Sequence, residues 1–224
     1  MIGKIHPQGA GGQCFVLIAI DYFTKWVEAK SYRTLGAKEV AKFIQTNIIC
    51  RYGIPHEFIS DQGTHFRGET AAILEKYHIK HHKSSPYRPQ TNRAVEAANK
   101  TLVTIIEKMA ENHRDWPNKI PFALWGYHTT IRTPTGMTPY FLTYGMEAVQ
   151  PVEIEIPSLR ILIESQIPKA AWCRERYEQL ILLDERRLNS LSTVQMYHSR
   201  LQRAFNKKVR PRNIKVGDLV LKSV

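Results

Sequence analysis

The sequence predicts an α/β fold in which a mixed sheet is flanked by helices, and two patterns support this prediction. Apolar, strand-forming runs cover residues 14–20 and 25–29, directly after a glycine-rich turn at 9–12. Apolar residues then recur at helical spacing through 40–48, ahead of a short apolar strand that ends at Asp61. A hairpin followed by a strand–helix–strand unit is typical of a sheet covered by helices.

The elements of this first half are delimited by turn and cap signals. Thr34 is the predicted cap of the first helix, and Gly53-Ile54-Pro55 is its predicted stop. A short helix at 70–77 and a strand at 79–82 follow. The apolar face of the first helix consists of Val40, Phe43, Ile44 and Ile48.

A proline-broken loop then leads into a long helix predicted over residues 93–111. One apolar stripe on this helix is expected to pack against the sheet. The aromatic segment after it is interpreted as core packing. The stripe consists of Val95, Ala98, Leu102, Ile105 and Met109, and the aromatic segment contains Trp116, Trp125 and Tyr127.

The composition changes after Ala148, which predicts a core over 1–148 and a proline-bracketed linker over 149–168. A charged helical extension is predicted over 169–206. Its apolar residues recur at a spacing that fits a coiled-coil-like seam, either between protomers or against the core. The seam residues are Tyr177, Ile181, Leu188 and Leu191.

The net charge of +12 indicates a polyanionic partner, with nucleic acid as the first candidate. Residues 200–224 alone contain eight basic side chains against Asp218. A nuclear-import signal around 207–212 and direct DNA contact are compatible interpretations of this basic segment. No apolar run approaches the ~20 residues that a membrane-spanning helix needs, so an intracellular protein is expected.

The cysteines and histidines do not predict a structural metal site or a disulfide framework. The three cysteines are odd in number and widely spaced. The histidine cluster has a spacing that suits no standard zinc site without cysteines nearby. This cluster consists of His78, His81 and His82.

Two carboxylates stand in contexts that suit phosphoryl transfer. Asp61 lies at a strand tip before a glycine turn, and Glu96 lies in the first turns of the helix predicted over 93–111. Carboxylates at such positions can converge on hard cations such as Mg²⁺. Two such ions about 3.5–4 Å apart stabilise the attacking and leaving oxygens of a phosphodiester displacement. Each residue alone fits an ordinary turn or a solvated helix, but the two motifs together favour a metal site.

These motifs, in this order, resemble the integrase of long-terminal-repeat retrotransposons of the Ty3/gypsy type, as found in plants. The resemblance implies a ribonuclease H-like core and, over residues 207–224, the truncated start of a small SH3-like barrel. It also implies end processing and strand transfer of DNA with Mg²⁺ or Mn²⁺. The matching segments are 15–29, 58–66, 86–100, 121–127, 135–140 and 216–220.

In that family the catalytic set is two aspartates and a glutamate, and Asp61 and Glu96 match its second and third members. By this register the first aspartate would lie just before Met1, and the expectation is that this chain begins one residue too late. Asp21 is the obvious substitute, but the family does not use its position for metal. The interval between the matched carboxylates is one residue shorter than usual, and Arg93 stands where glycine is common.

The resemblance and the basic charge also predict residues that contact DNA. They are Tyr87, Gln90, Asn99, Lys100, Lys207, Lys208, Arg210 and Arg212. An ordinary helical ion pair with Glu96 is the alternative role for Lys100. The sequence thus predicts a nuclear retrotransposon integrase fragment, with retroelement ends and target DNA as partners and a homo-oligomeric state. The alternatives are a catalytically inactive DNA-binding remnant and a ribonuclease H-type nuclease.

Overall fold

The computed structural model describes residues 5–84, 100–101, 103–105, 108 and 114–207. The strands are β1 (Phe15–Ile20), β2 (Val27–Tyr32), β3 (Glu57–Ser60) and β4 (Lys80–Lys83). The helices are α1 (Ala37–Phe43), α2 (Cys50–Tyr52), α3 (Glu69–Lys76), α4 (Trp116–His128), α5 (Pro139–Tyr144), α6 (Pro151–Glu155), α7 (Leu159–Gln166), α8 (Lys169–Ile181) and α9 (Leu183–Asn206). Short 3₁₀ turns cover Ala10–Gly12 and Thr64–Phe66.

The strands pair in both directions, which confirms the predicted mixed α/β architecture. β1 and β2 form an antiparallel hairpin in which Phe15 lies opposite Tyr32. β3 and β4 are parallel, and α3 connects them. The second strand begins later than predicted because the hairpin turn extends further. Lys25 has a φ of 61° in that turn, which a strand cannot contain.

Helices cover both faces of β1, because successive side chains of a strand point to opposite sides. Val16 and Ile18 are buried in one apolar cluster together with Trp116 of α4. Leu17 is buried in a second cluster together with Phe43 of α1. The hairpin is therefore the middle layer between α4 and α1. Among the described residues of the helix predicted over 93–111, Val103 packs against the first cluster.

The first helix is longer than one regular segment, because a π-helical stretch over Ile44–Ile49 joins α1 to α2. The predicted cap at Thr34 was wrong. The helix begins after Gly36, whose backbone N–H donates to the Glu39 carboxylate at 2.9 Å. The predicted stop at Gly53 is confirmed. Its φ of 88° is open to glycine and strained for other residues.

The helical extension packs back onto the core through side chains other than those of the predicted seam. Leu183, Ser190 and Val194 are buried, and Ser190 donates to the Thr135 carbonyl at 3.1 Å. Arg187 also donates to the Leu142 carbonyl at 3.0 Å. The seam residues point to solvent, so they do not pack against the core, and a seam between protomers stays a prediction. Their exposed fractions are 65% for Tyr177, 59% for Ile181, 65% for Leu188 and 40% for Leu191.

The segment predicted as a linker, 149–168, contains two short helices that its composition did not predict. Pro151 is the first residue of α6, a position at which the backbone N–H that proline lacks would have no partner within the helix. Ser158 is the N-cap residue of α7, a position that favours short polar side chains. The division into core, linker and extension stays a prediction. Within the described part of the chain, no helix has both the length and the apolar character needed to cross a bilayer.

Buried His128 predicts that acid destabilises the fold. Its imidazole is 7% exposed, stacks on Trp26 with ring centroids 3.6 Å apart, and its Nε2 lies 2.9 Å from the Val27 carbonyl oxygen. Burial lowers the pKa of His128, and the Val27 carbonyl and the Glu28 charge oppose this only in part. The unfolded chain, with a histidine pKa of about 6.5, therefore takes up the proton first as the pH falls.

We expect the free energy of unfolding to fall as the pH is lowered through about 6.5. Urea unfolding at pH 7.5 and pH 5.5 measures this loss. His128→Gln should make the loss smaller because the group that titrates differently in the two states is removed. His56→Gln is the matched control, since the His56 side chain is 78% exposed. An equal loss in both variants and the parent would contradict the prediction.

Candidate active site

The sequence prediction placed Asp61 at a strand tip, and the structure agrees. β3 ends at Ser60, and Asp61 is the next residue. Its side chain is 55% exposed, and its Oδ1 accepts a hydrogen bond from the Gly63 backbone N–H at 2.9 Å. Ser60 Oγ donates to the Asp61 carbonyl at 2.8 Å. The carboxylate is thus oriented by backbone contacts while it stays accessible.

Gly63 lies directly beneath the Asp61 carboxylate, where a larger residue would not fit. A Cβ atom at position 63 would lie 2.8 Å from Asp61 Oδ1 and 2.4 Å from His65 Cε1. Real Cβ atoms essentially never approach other atoms so closely. The glycine therefore forms a cradle between the aspartate and the histidine.

His65 is the neighbour of Asp61 that sequence reasoning missed. Its Nε2 lies 3.9 Å from Asp61 Oδ1, and its side chain is 13% exposed. The Nε2 atom is buried and has no hydrogen-bond partner in the structure. The 3₁₀ turn over Thr64–Phe66 brings the imidazole back over the glycine, so the four-residue spacing from Asp61 was the only signal in the sequence.

The residues around Asp61 fit a divalent metal ion in the chemistry of their donors. A carboxylate oxygen of Asp61 and the unpartnered imidazole nitrogen of His65 lie 3.9 Å apart beside Gly63. Oxygen ligands suit Mg²⁺, and imidazole suits transition metals. No group of three or more acidic, histidine or cysteine side chains forms a metal site among the described residues, and Glu96 lies outside them.

Asp21, the proposed substitute for a first aspartate, has a structural role in the hairpin turn. Its Oδ2 accepts from the Thr24 backbone N–H at 2.7 Å and from Thr24 Oγ1 at 2.6 Å. Asp21 and Asp61 nevertheless line the same cleft, which has a volume of about 760 Å³. The turn contacts explain the presence of Asp21 without a metal.

The other predicted site residues divide into those that the structure describes and those that it does not. Lys100 is helical and exposed, and Lys207 is exposed at the end of α9. No described contact joins either lysine to Asp61. Tyr87, Gln90, Glu96, Asn99, Lys208, Arg210 and Arg212 lie outside the described residues.

His81 and His82 of the predicted histidine cluster both lie in β4 but contact different neighbours. His81 Nε2 lies 2.8 Å from Ser60 Oγ, and burial, followed by the charges of Lys83 and His82, lowers the pKa of His81. His82 faces Glu57 at 3.4 Å on the exposed side. The absence of a metal assignment for these histidines stays a prediction.

Comparison with known proteins identifies the type of core. Residues 2–89 match the integrase core domain family. A solved intasome of simian T-cell lymphotropic virus, in complex with PP2A regulatory subunit B56 gamma, aligns with a TM-score of 0.52 and 22% identity, over 61% of this chain and 52% of that one. This is an integrase core fold.

Two curated polyproteins extend the similarity over 145 residues, or 63% of this chain. The Pol polyprotein of Radiation murine leukemia virus (strain Kaplan) is 33% identical, and the Gag-Pol polyprotein of gibbon ape leukemia virus is 34% identical. The chain spans 25% and 8% of their lengths. The chain is therefore similar to an integrase core domain over residues 2–89 and to retroviral polyproteins over a longer stretch, and the Ty3/gypsy type is a finer assignment than these relatives support.

Proposed function

We propose that this chain is the integrase core of a Ty3/gypsy-type retrotransposon and that this core, when complete, processes retroelement DNA ends and joins them to target DNA with Mg²⁺ or Mn²⁺. The observation that carries the proposal is the accessible Asp61 carboxylate, held over the Gly63 cradle at the tip of β3. The match of residues 2–89 to the integrase core domain supports it independently. Asp61 and Glu96 are the proposed catalytic residues and metal ligands.

The role of Asp61 follows from its contacts. The Gly63 N–H and the Ser60 hydroxyl fix the backbone and one carboxylate oxygen, so little reorganisation is needed when a cation binds. A bound divalent ion would lower the pKa of an attacking water or 3′-hydroxyl and stabilise charge on the phosphate. Glu96 would supply a second carboxylate from the helix predicted over 93–111.

The proposed DNA contacts come from basic and polar side chains near the site and in the C-terminal segment. Lys100 is exposed on its helix, and Lys207 begins a basic run. Phosphate contacts of this kind release counterions, so binding should weaken steeply with salt. The remaining proposed contacts are Tyr87, Gln90, Asn99, Lys208, Arg210 and Arg212.

The proposed function also predicts the cellular location, the oligomeric state and the domain organisation of the protein. A protein that joins DNA to a chromosome acts in the nucleus, and its net charge of +12 suits that partner. We infer a homo-oligomer, since two DNA ends must be joined in a concerted way. The proposed organisation is a core over 1–148, a linker over 149–168, a helical extension over 169–206 and the start of a barrel over 207–224.

A strand-transfer assay tests the proposal against its alternatives. The chain, preceded by the aspartate that the family register places just before Met1, is incubated with a labelled duplex that ends like a retroelement terminus, with plasmid target DNA and with Mg²⁺ or Mn²⁺. Joined products are the expected result. DNA binding without joining would favour an inactive remnant, and cleavage of an RNA–DNA hybrid instead would favour a ribonuclease H-type nuclease. Either of these outcomes contradicts the proposal.

Gly63→Ala should damage the site without unfolding the chain. The new Cβ would collide with the Asp61 carboxylate and the His65 ring, so we expect strand transfer to fall by about 10²-fold, as for misplacement of a reacting group by an ångström. Gly126→Ala is the matched control, because a Cβ there meets nothing within 4 Å and α4 gains up to about 1 kcal/mol of helix propensity. Similar activity in the two variants would show that a side chain at position 63 does not displace the Asp61 carboxylate.

A further inference from the structure

We propose that His81 is a positioning residue for Asp61. Its imidazole holds the Ser60 hydroxyl, and the Ser60 hydroxyl in turn holds the backbone of Asp61. The inference rests on the proposed function, because it assumes that the placement of the Asp61 carboxylate decides the rate of strand transfer. Sequence motifs alone assign no such role to His81 or to Ser60.

The first observation is a continuous chain of hydrogen bonds from the imidazole to the main chain of Asp61. Ser60 Oγ donates its only proton to the Asp61 carbonyl oxygen at 2.8 Å. The same hydroxyl oxygen lies 2.8 Å from His81 Nε2, so at this second contact it accepts a proton from the ring. The neutral imidazole therefore carries its proton on Nε2.

The second observation is that the pairing of β3 with β4 and the surrounding rings hold this chain in place. Phe58 lies opposite His81, and Ser60 follows two positions later on the same face of β3. The His81 ring lies beside the rings of Phe58 and Phe66, with centroids 5.8 Å and 6.5 Å away. Burial is the main cause that lowers the pKa of His81, so the ring is neutral near pH 7.

The third observation is that Ser60 has few other ways to satisfy its hydroxyl. Ser60 is only 5% exposed, and buried polar atoms are almost always paired. Without the ring N–H, the hydroxyl loses the partner that fixes its rotamer, and its bond to the Asp61 carbonyl becomes less well oriented.

The consequence for the site follows from how Asp61 is held. Ser60 fixes its carbonyl, and the Gly63 N–H fixes its Oδ1 at 2.9 Å, while the carboxylate stays 55% exposed. The Asp61 carbonyl belongs to the first peptide of the turn that carries Gly63. Loosening this peptide shifts both the turn and the carboxylate that it orients.

Nuclear magnetic resonance of the full chain, labelled with ¹⁵N at histidine, tests the hydrogen bonds without any activity assay. At pH 7.5, we expect His81 to be the tautomer with its proton on Nε2, and its signal is assigned by its absence in His81→Gln. In Ser60→Ala, the Nε2 proton should exchange with water about tenfold faster or more, because its acceptor is gone. A proton on Nδ1 in the parent, or equal exchange in the two proteins, would overturn the inference.

Strand-transfer kinetics, in the assay described above, test the consequence for the reaction. His81→Leu should lower kcat by about tenfold and leave the KM for the DNA end within about twofold. In His81→Gln the side-chain amide offers an N–H near the position of Nε2, so kcat should return to within about threefold of the parent. His82→Leu is the matched control, since the His82 side chain is 54% exposed and faces Glu57, and its kcat should stay within about twofold.

A double variant tests whether His81 and Ser60 act as one unit. Ser60→Ala should lower kcat about as much as His81→Leu does, and the two changes together should lower it no further. If the two losses multiply instead, the side chains act separately and the inference fails. Should His81→Leu fail to fold, Ser60→Ala decides, because it removes a single oxygen atom. An unchanged kcat in that variant would overturn the inference.

The outcomes separate failure of this inference from failure of the proposed function. If the parent joins DNA ends and His81→Leu keeps the parent kcat, His81 is not a positioning residue and the proposed function stands. The same holds if His81→Gln is as slow as His81→Leu, because the ring N–H is then not what matters. If the parent joins no DNA ends, the proposed function fails and this inference fails with it.

Discussion

Asp61→Asn is expected to reduce strand transfer by about 10³-fold or more while DNA binding changes by less than about threefold. The amide keeps the size of the side chain and removes the charge that attracts a divalent ion. Losing about 4 kcal/mol of transition-state stabilisation from a metal corresponds to about 10³ in rate. DNA affinity comes mainly from basic groups elsewhere, and these are unchanged.

The control for this variant is Asp184→Asn in α9, because the Asp184 side chain is 85% exposed and remote from β3 in the chain. It makes the same change of charge and should leave strand transfer within about twofold. Joined products are measured over time at saturating DNA, and DNA affinity is measured by fluorescence anisotropy at several salt concentrations. Equal activity of Asp61→Asn and Asp184→Asn would show that Asp61 is not catalytic.

Trp116→Ala should be the most destabilising single truncation in the core around β1. The Trp116 side chain is fully buried against Val16 and Ile18, and its indole N–H donates to the Pro7 carbonyl at 3.1 Å. Truncating a buried aromatic residue of this size costs about 3–5 kcal/mol, through lost apolar burial and the cavity left behind. Urea unfolding at constant pH measures the loss.

Two further variants show whether burial is the cause. Phe122→Ala removes an aromatic ring from the same helix, but Phe122 is 65% exposed, so the loss should stay below about 0.5 kcal/mol. Trp116→Phe keeps most of the volume and removes the hydrogen bond to Pro7, so an intermediate loss of about 1–3 kcal/mol is expected. If the two alanine variants unfold at the same urea concentration, α4 does not pack as described.

The sequence predicted the early elements well because their patterns are strong. The run Phe15–Ile20 is apolar, three of its six residues are β-branched, and it forms β1. The helix with Val40, Phe43 and Ile44 on one face buries those residues. The strand that ends before Asp61 was equally clear, since a glycine turn follows an apolar run. Local propensity and burial agree at these positions.

Features that depend on distant contacts could not be predicted. The 3₁₀ turn that brings His65 beside Asp61 is set by Thr70, which bonds both the His65 and the Ala37 carbonyls. The buried carboxylate of Glu28 is satisfied by Arg51 at 3.0 Å, a partner 23 positions away in the chain. Sequence periodicity carries no signal for such pairs.

The helical extension shows the same limit. Its heptad-like spacing predicted helices correctly, and α8 and α9 cover Lys169–Ile181 and Leu183–Asn206. The face that packs was not predictable, because Arg187 and Ser190 bind backbone carbonyls of the core. These polar contacts act together with the buried side chains of Leu183 and Val194.

The position of a bound metal ion tests directly whether Asp61 belongs to a catalytic metal centre. Crystals of the chain soaked in Mn²⁺ are measured at a wavelength where manganese scatters anomalously. We expect a peak about 2 Å from a carboxylate oxygen of Asp61, and Asp61→Asn should remove it. A peak only at another carboxylate, such as Glu57 beside His82, or no peak in well-ordered crystals, would contradict the assignment of Asp61 to a catalytic metal centre.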